Sequence, residues 1–215
     1  MDDVFVIEDF FDLDLIDRAW AELRAAGTQE DFIDKQGIFK GQLISQQLHI
    51  NHIDDMGTPA MSEILSKVRA IFDVPVTFRR VNYQTLHLPW DIHSDWTEAD
   101  RSESFYNILI PLHDVQSRTI IFDQRSSGTK HFYKYKETHA RLDQPVSQEL
   151  WDEHLSMCWP QDREYLSIKF ICPYQRKGQL VGFLRDYYHS SDSFHLRGVG
   201  PKHFIQILVD KEIDR

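Results

Sequence analysis

A histidine and an aspartate two residues apart, His93 and Asp95, follow a stretch of β-type residues from Val76 to Leu86. In an extended chain, side chains two residues apart point to the same side. The imidazole and the carboxylate could therefore bind one metal ion. With a second histidine from a distant strand they would complete a two-histidine, one-carboxylate triad, which leaves positions open on iron(II) for oxygen chemistry.

The His-x-Asp spacing is a weak signal by itself, because the chain contains 11 histidines and many aspartates. A second match, His52-Ile-Asp54, precedes the predicted strand series and is interpreted as an ordinary polar loop. The position of His93 and Asp95 at the end of a predicted strand favours this pair as the metal ligands.

Two histidines compete for the third ligand position, because both lie between a glycine-led strand that begins at Gly178 and a basic residue, Lys202. His189 comes directly after the strand, so its side chain is tied to the sheet. His195 lies deeper in the following loop, and we expect it near the substrate entrance or in solvent. Metal sites are best built on rigid elements, so His189 is the predicted ligand.

The order of these features resembles the 2-oxoglutarate/Fe(II)-dependent oxygenase superfamily. The shared order is helices, His-x-Asp, an apolar strand ending in IPL (Asn107–Leu112), a strand TIIFDQ (Thr119–Gln124), the distal histidine and a basic residue. The resemblance runs from about Val4 to Val209. It is closest to little-characterised phage- and marine-bacterial-type members, which carry FDQ, a long insert and a histidine-serine-aspartate stretch ending in a lysine.

The resemblance implies Fe(II) held by His93, Asp95 and His189, with 2-oxoglutarate as cosubstrate and O2 as oxidant. It also implies that Lys202 binds the far carboxylate of 2-oxoglutarate, where most members have arginine. Lysine lacks the bidentate fork of arginine, so we expect a neighbouring hydroxyl to supply a second bond. The candidates are Tyr83 and Thr119.

The implied activity is that of a dioxygenase that hydroxylates a C–H bond and releases succinate and CO2. Arg185 could meet a substrate carboxylate or pair with a nearby acid, and Trp96 is a further candidate for substrate contact. Asn82 and Tyr83 are adjacent, whereas a nucleic-acid-demethylating subgroup has one residue between the two types. Halogenating members lack the metal carboxylate, which Asp95 supplies here. The sequence therefore favours neither demethylation of nucleic acid nor halogenation.

The elements that must position these residues are helices first and strands afterwards, which predicts an α+β chain. Apolar residues from Leu13 to Leu23 recur at helical spacing, with Gly27 able to end the helix. A second helix is predicted from Thr58-Pro59. Six later segments are short, rich in β-branched and aromatic residues and bounded by turn residues, so they are predicted strands: Val76–Leu86, Phe105–Leu112, Thr119–Asp123, Leu166–Ile171, Gln179–Leu184 and Lys202–Val209.

The predicted fold is a double-stranded β-helix (a cupin-like jelly roll) with N-terminal helices packed on one sheet. We expect one domain over residues 1–215, with mainly helical support in 1–75 and the jelly-roll core in 76–215. An insertion at about 125–164, with a helix from Ser147 to Trp159, interrupts the strands. It is interpreted equally as a lid or as a surface elaboration that packs on the barrel.

Charge and composition indicate which kinds of partner are expected. The formal net charge is −10, which disfavours nucleic acid, and no apolar run is long enough for a membrane span. The acidic start lacks the basic region of a signal peptide, and two cysteines fit a reducing, cytoplasmic setting. The expected substrate is a small molecule, amino acid or peptide, and the sequence leaves the oligomeric state open.

Two other functions remain open from the sequence. One is a cupin-like metal-dependent isomerase or dioxygenase without 2-oxoglutarate, which would not need Lys202. The other is a non-catalytic binding domain that retains the barrel and binds no metal.

Overall fold

The computed structural model describes residues 1–26, 33–39, 42–49, 58–95, 104–126, 133 and 140–212, with the backbone alone at 26, 33–39, 42–49 and 104. In these residues we number the α-helices α1 (Leu13–Ala26), α2 (Pro59–Arg69) and α3 (Gln148–His154), and two 3-10 helices span Pro160–Tyr165 and Phe194–Arg197. The strands are β1 (Val4–Ile7), β2 (Ile33–Phe39), β3 (Gln42–His49), β4 (Val76–Leu86), β5 (Ser104–Pro111), β6 (Thr119–Arg125), β7 (Ile168–Ile171), β8 (Leu180–Leu184), β9 (Tyr187–Ser191) and β10 (Lys202–Lys211).

The strands of the described residues form two antiparallel sheets, as a jelly roll requires. The large sheet has the order β1-β8-β5-β10-β4-β3-β2, and the small sheet has the order β7-β6-β9. One cluster of buried apolar side chains draws on both sheets, with Leu109 and Phe204 from the large sheet and Ile121 and Tyr187 from the small one. The sheets therefore face each other across a shared interior.

Strand β10 lies between β4 and β5, and its alternate side chains pack in two different apolar clusters, one on each face of the large sheet. Ile205, Ile207 and Val209 pack in the cluster that includes the helices, whereas Phe204 packs in the interior between the sheets. Because side chains alternate along a strand, Lys202 and Gln206 share the interior face with Phe204.

The two N-terminal helices cover the outer face of the large sheet. Helix α1 buries Leu15, Ile16, Ala19 and Leu23, although Leu13 at its start is largely exposed. Helix α2 begins at Pro59, as the sequence predicts, and the amide of Ala60 donates to the carboxylate of Glu22 at 3.1 Å. This contact satisfies one of the unpaired amides at the helix start and ties α2 to α1.

The described part of the predicted insertion packs on the outer face of the small sheet. The side chain of Ser147 accepts a hydrogen bond from the amide of Leu150 and so caps α3. Trp151, Leu155 and Cys158 join a buried cluster with Ile120, Phe122 and Tyr188 of the small sheet. Residues 151–158 thus pack on the face of the small sheet that is turned away from the interior.

All six predicted strands form, with shifted ends at all but Val76–Leu86. The sequence missed β2, β3 and β9. Residues 1–75 supply β1, β2 and β3 of the large sheet in addition to α1 and α2. None of the helices in the described residues has the length and hydropathy needed to cross a membrane.

Candidate metal centre

Three side chains converge at one end of the interior. His93, Asp95 and His189 each offer one ligand atom, and these atoms lie within 4.8 Å of one another. The two histidines form an isolated antiparallel bridge that continues the small sheet beyond β9. The amide of His93 donates to the carbonyl of His189 at 3.1 Å, and the reverse bond is 2.8 Å. The backbone thus holds the two imidazoles side by side.

Both imidazoles are oriented by hydrogen bonds to main-chain carbonyls. Nδ1 of His93 lies 2.7 Å from the carbonyl of Asp91, and Nδ1 of His189 lies 3.1 Å from the carbonyl of Tyr187. Since a carbonyl only accepts, each Nδ1 donates, and Nε2 is the ring nitrogen left to face a metal ion. This is the arrangement found in metal-ligating histidines. The Nε2 atom of His189 lies 3.3 Å from Oδ2 of Asp95, so the donor set fits a divalent metal.

The carboxylate of Asp95 is held by two amide side chains from the large sheet. Oδ2 accepts from Nδ2 of Asn107 on β5 and from Nε2 of Gln206 on β10, the latter at 3.1 Å. Because a carboxylate only accepts, it fixes the orientation of both amides. The oxygen of Gln206 then accepts from Gln84 at 2.5 Å and from Asn82 at 3.3 Å.

Lys202 is buried on the same interior face and is 2% exposed. Its Nζ donates to Oγ of Ser191 at 2.9 Å. In the part of the chain that the structure describes, Lys202 forms no salt bridge, since the nearby Asp192 is bound by Arg197 at 2.6 Å. Burial lowers the pKa of Lys202 to about 8, against a partial opposing effect of Asp192 and Cys172. An ammonium group therefore lies in the interior without a carboxylate partner among the described residues.

The two hydroxyls expected beside Lys202 lie in different places. Thr119 is buried and stands opposite Ser191 in the pairing of β6 with β9, so its side chain lies on the same face as that of Ser191, which accepts from Lys202. Tyr83 stands opposite Ile205 and packs in the helix-side cluster. Its hydroxyl lies 3.1 Å from Nδ1 of His203. The expectation for Tyr83 is therefore wrong, because strand alternation turns its side chain to the outer face.

Arg185 adopts the second of the two arrangements considered from the sequence. It is 1% exposed, and its Nη1 atom binds Oδ1 of Asp210 at 2.5 Å. Three of its N–H groups bind Asp210 and the main-chain carbonyl of Asp95, so Arg185 pairs with a nearby acid, and contact with a substrate carboxylate stays a prediction.

The other histidine considered for the third ligand position, His195, is not part of the metal centre. His195 lies in the short 3-10 helix Phe194–Arg197 and is not among the three converging side chains. Burial and the neighbouring Arg197 lower its pKa. Trp96, Gly27 and the His52-Ile-Asp54 match lie outside the described residues.

Sequence reasoning missed the amide groups around Asp95. Gln206 carries a usable signal, because it lies four residues after Lys202 in the same predicted strand and so faces the same side. Asn107 carries none, since its contact with Asp95 depends on the long-range pairing of β5 with β10.

The fold and the triad together define a double-stranded β-helix with a candidate metal site between its sheets. No protein-family model matches the chain, and no curated protein sequence matches it. Solved structures do share the fold. One is the epimerase SnoN in complex with Fe3+, alpha ketoglutarate and nogalamycin RO, with a TM-score of 0.66 and 10% identity over 98% of this chain and 79% of SnoN.

Two further structures extend this likeness. A prolyl hydroxylase from Trichoplax adhaerens, in complex with a hypoxia inducible factor peptide fragment, has a TM-score of 0.60 and 9% identity over 97% of this chain and 84% of its own. HygX from Streptomyces hygroscopicus, with nickel, 2-oxoglutarate and hygromycin B bound, has a TM-score of 0.54 and 11% identity over 98% of this chain and 84% of HygX. At such low identities the likeness establishes the fold, and function must be argued from the site.

Proposed function

We propose that the chain is an Fe(II)- and 2-oxoglutarate-dependent oxygenase that hydroxylates a C–H bond of a small molecule, amino acid or peptide. The observation that carries the proposal is Lys202. Its buried ammonium shares the interior with the His-Asp-His triad and forms no salt bridge with a described carboxylate. Burying an unpaired charge is costly, so the site favours an anionic ligand between Lys202 and the metal ligands.

The triad and Lys202 are suited to the two ends of 2-oxoglutarate, its 2-keto acid and its distal carboxylate. His93, Asp95 and His189 would hold the metal, and the metal would bind the 2-keto acid end. Lys202 would bind the distal carboxylate, and the hydroxyls of Ser191 and Thr119 are the candidates for a second bond. The apolar residues between the sheets, including Ile121 and Phe204, would exclude water from the cosubstrate.

When bound, iron(II) supplies the oxygen-activating redox chemistry of the net reaction, in which 2-oxoglutarate, O2 and a C–H substrate give succinate, CO2 and an alcohol. The chain supplies binding and orientation. The hydrogen bonds at Nδ1 would orient both imidazoles so that Nε2 is the nitrogen offered to the metal, and the amides of Asn107 and Gln206 hold the carboxylate of Asp95. Lys202 fixes the cosubstrate at its far end.

The proposal is tested by thermal unfolding with Mn(II) or Co(II), 2-oxoglutarate, or both. A ligand that binds only the folded state raises the unfolding temperature, and we expect the largest rise when both are present. Slow succinate release with Fe(II), ascorbate and 2-oxoglutarate would follow. Metal binding without any response to 2-oxoglutarate would indicate the cupin-like alternative. No metal binding would indicate a non-catalytic domain.

A further inference from the structure

Asp95 is the metal ligand with the least support from regular secondary structure. His189 lies in β9 and His93 forms a bridge to it, whereas Asp95 lies in a bend beyond that bridge. A ligand in a bend needs other contacts to hold its backbone. The structure supplies such contacts at the main-chain carbonyl of Asp95, separately from those at its carboxylate.

Arg185 provides these contacts from the turn between β8 and β9. Its Nε and Nη2 atoms donate to the carbonyl of Asp95 at 3.3 and 3.0 Å, and its Nη1 atom donates to Oδ1 of Asp210. Asp210 lies near the end of β10. One planar guanidinium thus joins the metal-ligand bend to a central strand of the large sheet.

Stability alone does not account for burying these two charges. Arg185 is 1% and Asp210 is 7% exposed, and Arg79 approaches the second oxygen of Asp210 at 3.6 Å. Apolar residues of similar volume usually stabilise a protein as well as a buried ion pair does, or better. The geometry instead suits orientation, because the fork of arginine can bind a carbonyl and a carboxylate at once.

We propose that Arg185, held by Asp210, is a positioning residue that fixes the backbone at Asp95 and thereby sets the metal affinity of the site. This inference rests on the proposed function in one respect, namely that the triad binds a divalent metal. Residues that orient metal ligands typically affect affinity by about 10- to 100-fold, and we expect an effect of that size from Arg185.

The first test variant is Arg185→Lys, which keeps the positive charge beside Asp210 but loses the fork that reaches the carbonyl of Asp95. Titration calorimetry with Mn(II) or Co(II) should show about 10- to 100-fold weaker binding. The visible spectrum of the Co(II) form should change, because it reports the ligand geometry. The unfolding temperature of the metal-free protein should change little compared with the loss of metal affinity.

A second variant keeps the test decisive if Arg185→Lys fails to fold. Arg185→Met combined with Asp210→Asn removes both buried charges together, and it should fold and bind metal equally weakly. The matched control is Arg125→Gln. It breaks a 3.0 Å salt bridge to Asp186, which is the next residue of the same turn, and it should leave metal affinity unchanged.

The outcomes separate the two proposals. If the wild-type protein binds no metal, the proposed function fails and this inference fails with it. If the wild type binds metal and both Arg185 variants bind it as tightly, only the positioning role is refuted. A fall in metal-free stability without a change in metal affinity would likewise refute it, since that result describes a purely structural ion pair.

Discussion

Replacing Lys202 by methionine should raise stability and weaken cosubstrate binding at the same time. Burial lowers the pKa of Lys202 from 10.5 to about 8. At about 1.36 kcal/mol for each pH unit, this corresponds to roughly 3 kcal/mol of destabilisation of the charged form in the free protein. Methionine has a similar length and no charge, so Lys202→Met should increase the free energy of unfolding at pH 7 by up to about 3 kcal/mol.

The pH dependence gives this prediction a sign that can be checked. Between about pH 8 and 10.5 the unfolded wild-type chain keeps a proton on Lys202 that the folded chain has lost. Wild-type stability should therefore rise with pH through this window as far as Lys202 contributes. Since Lys202→Met lacks that contribution, its advantage over the wild type should shrink across the same window. Urea unfolding of the metal-free proteins at several pH values measures the difference.

Cosubstrate binding should change in the opposite direction. A hydrogen bond to a charged group contributes about 1.5–3 kcal/mol, so the Kd for 2-oxoglutarate in the presence of Mn(II) should rise by at least about tenfold. Leu88→Met is a control, because Leu88 is a partly buried apolar neighbour of the interior cluster. A variant that is less stable than the wild type and binds 2-oxoglutarate equally well would refute the reasoning about Lys202.

Three further outcomes are expected. His189→Ala should abolish metal binding in a metal-content assay, whereas His195→Ala should keep it; the reverse result would overturn the triad. Wild-type affinity for 2-oxoglutarate should fall as pH rises above about 8, because the bound carboxylate holds a proton on Lys202 that the free protein loses; a flat profile from calorimetry would contradict this. Trp151→Ala should destabilise the protein by about 3–5 kcal/mol in denaturant unfolding, yet leave metal affinity of the folded protein intact, since Trp151 packs on the outer face of the small sheet.

Local sequence patterns were sufficient for much of the fold. Strand β4 and the start of β10 are rich in β-branched and aromatic residues, and their bounds were predicted closely. Strand β9, with the sequence YYHSS, lacks branched aliphatic residues and was missed. Strand β3, with the sequence QLISQQLH, is mostly polar, so it gives no continuous apolar signal. Its place in the large sheet depends on pairing with β4.

In the candidate site, too, local sequence patterns indicated some residues, whereas long-range contacts decided the others. His189 was preferred over His195 because it lies nearer to the predicted strand Gln179–Leu184, although β9, the strand that contains it, was missed. The wrong expectation for Tyr83 arose because the partner of a strand residue, here Ile205, is a long-range property. The contacts of Arg185 with Asp210 and with the bend at Asp95 are equally long-range, so the sequence could offer only alternatives for Arg185.

The bridge between His93 and His189 also bears on how fast the site can open. Each ligand residue donates its amide proton to the carbonyl of the other, so the two backbones cannot separate without breaking both bonds. Protection of these two amides against hydrogen exchange reports local opening. Separation of the His93 segment from β9 therefore requires fraying at the edge of the small sheet. If the site binds a metal ion as proposed, we expect the lifetime of that ion to depend on the backbone as well as on the three side chains.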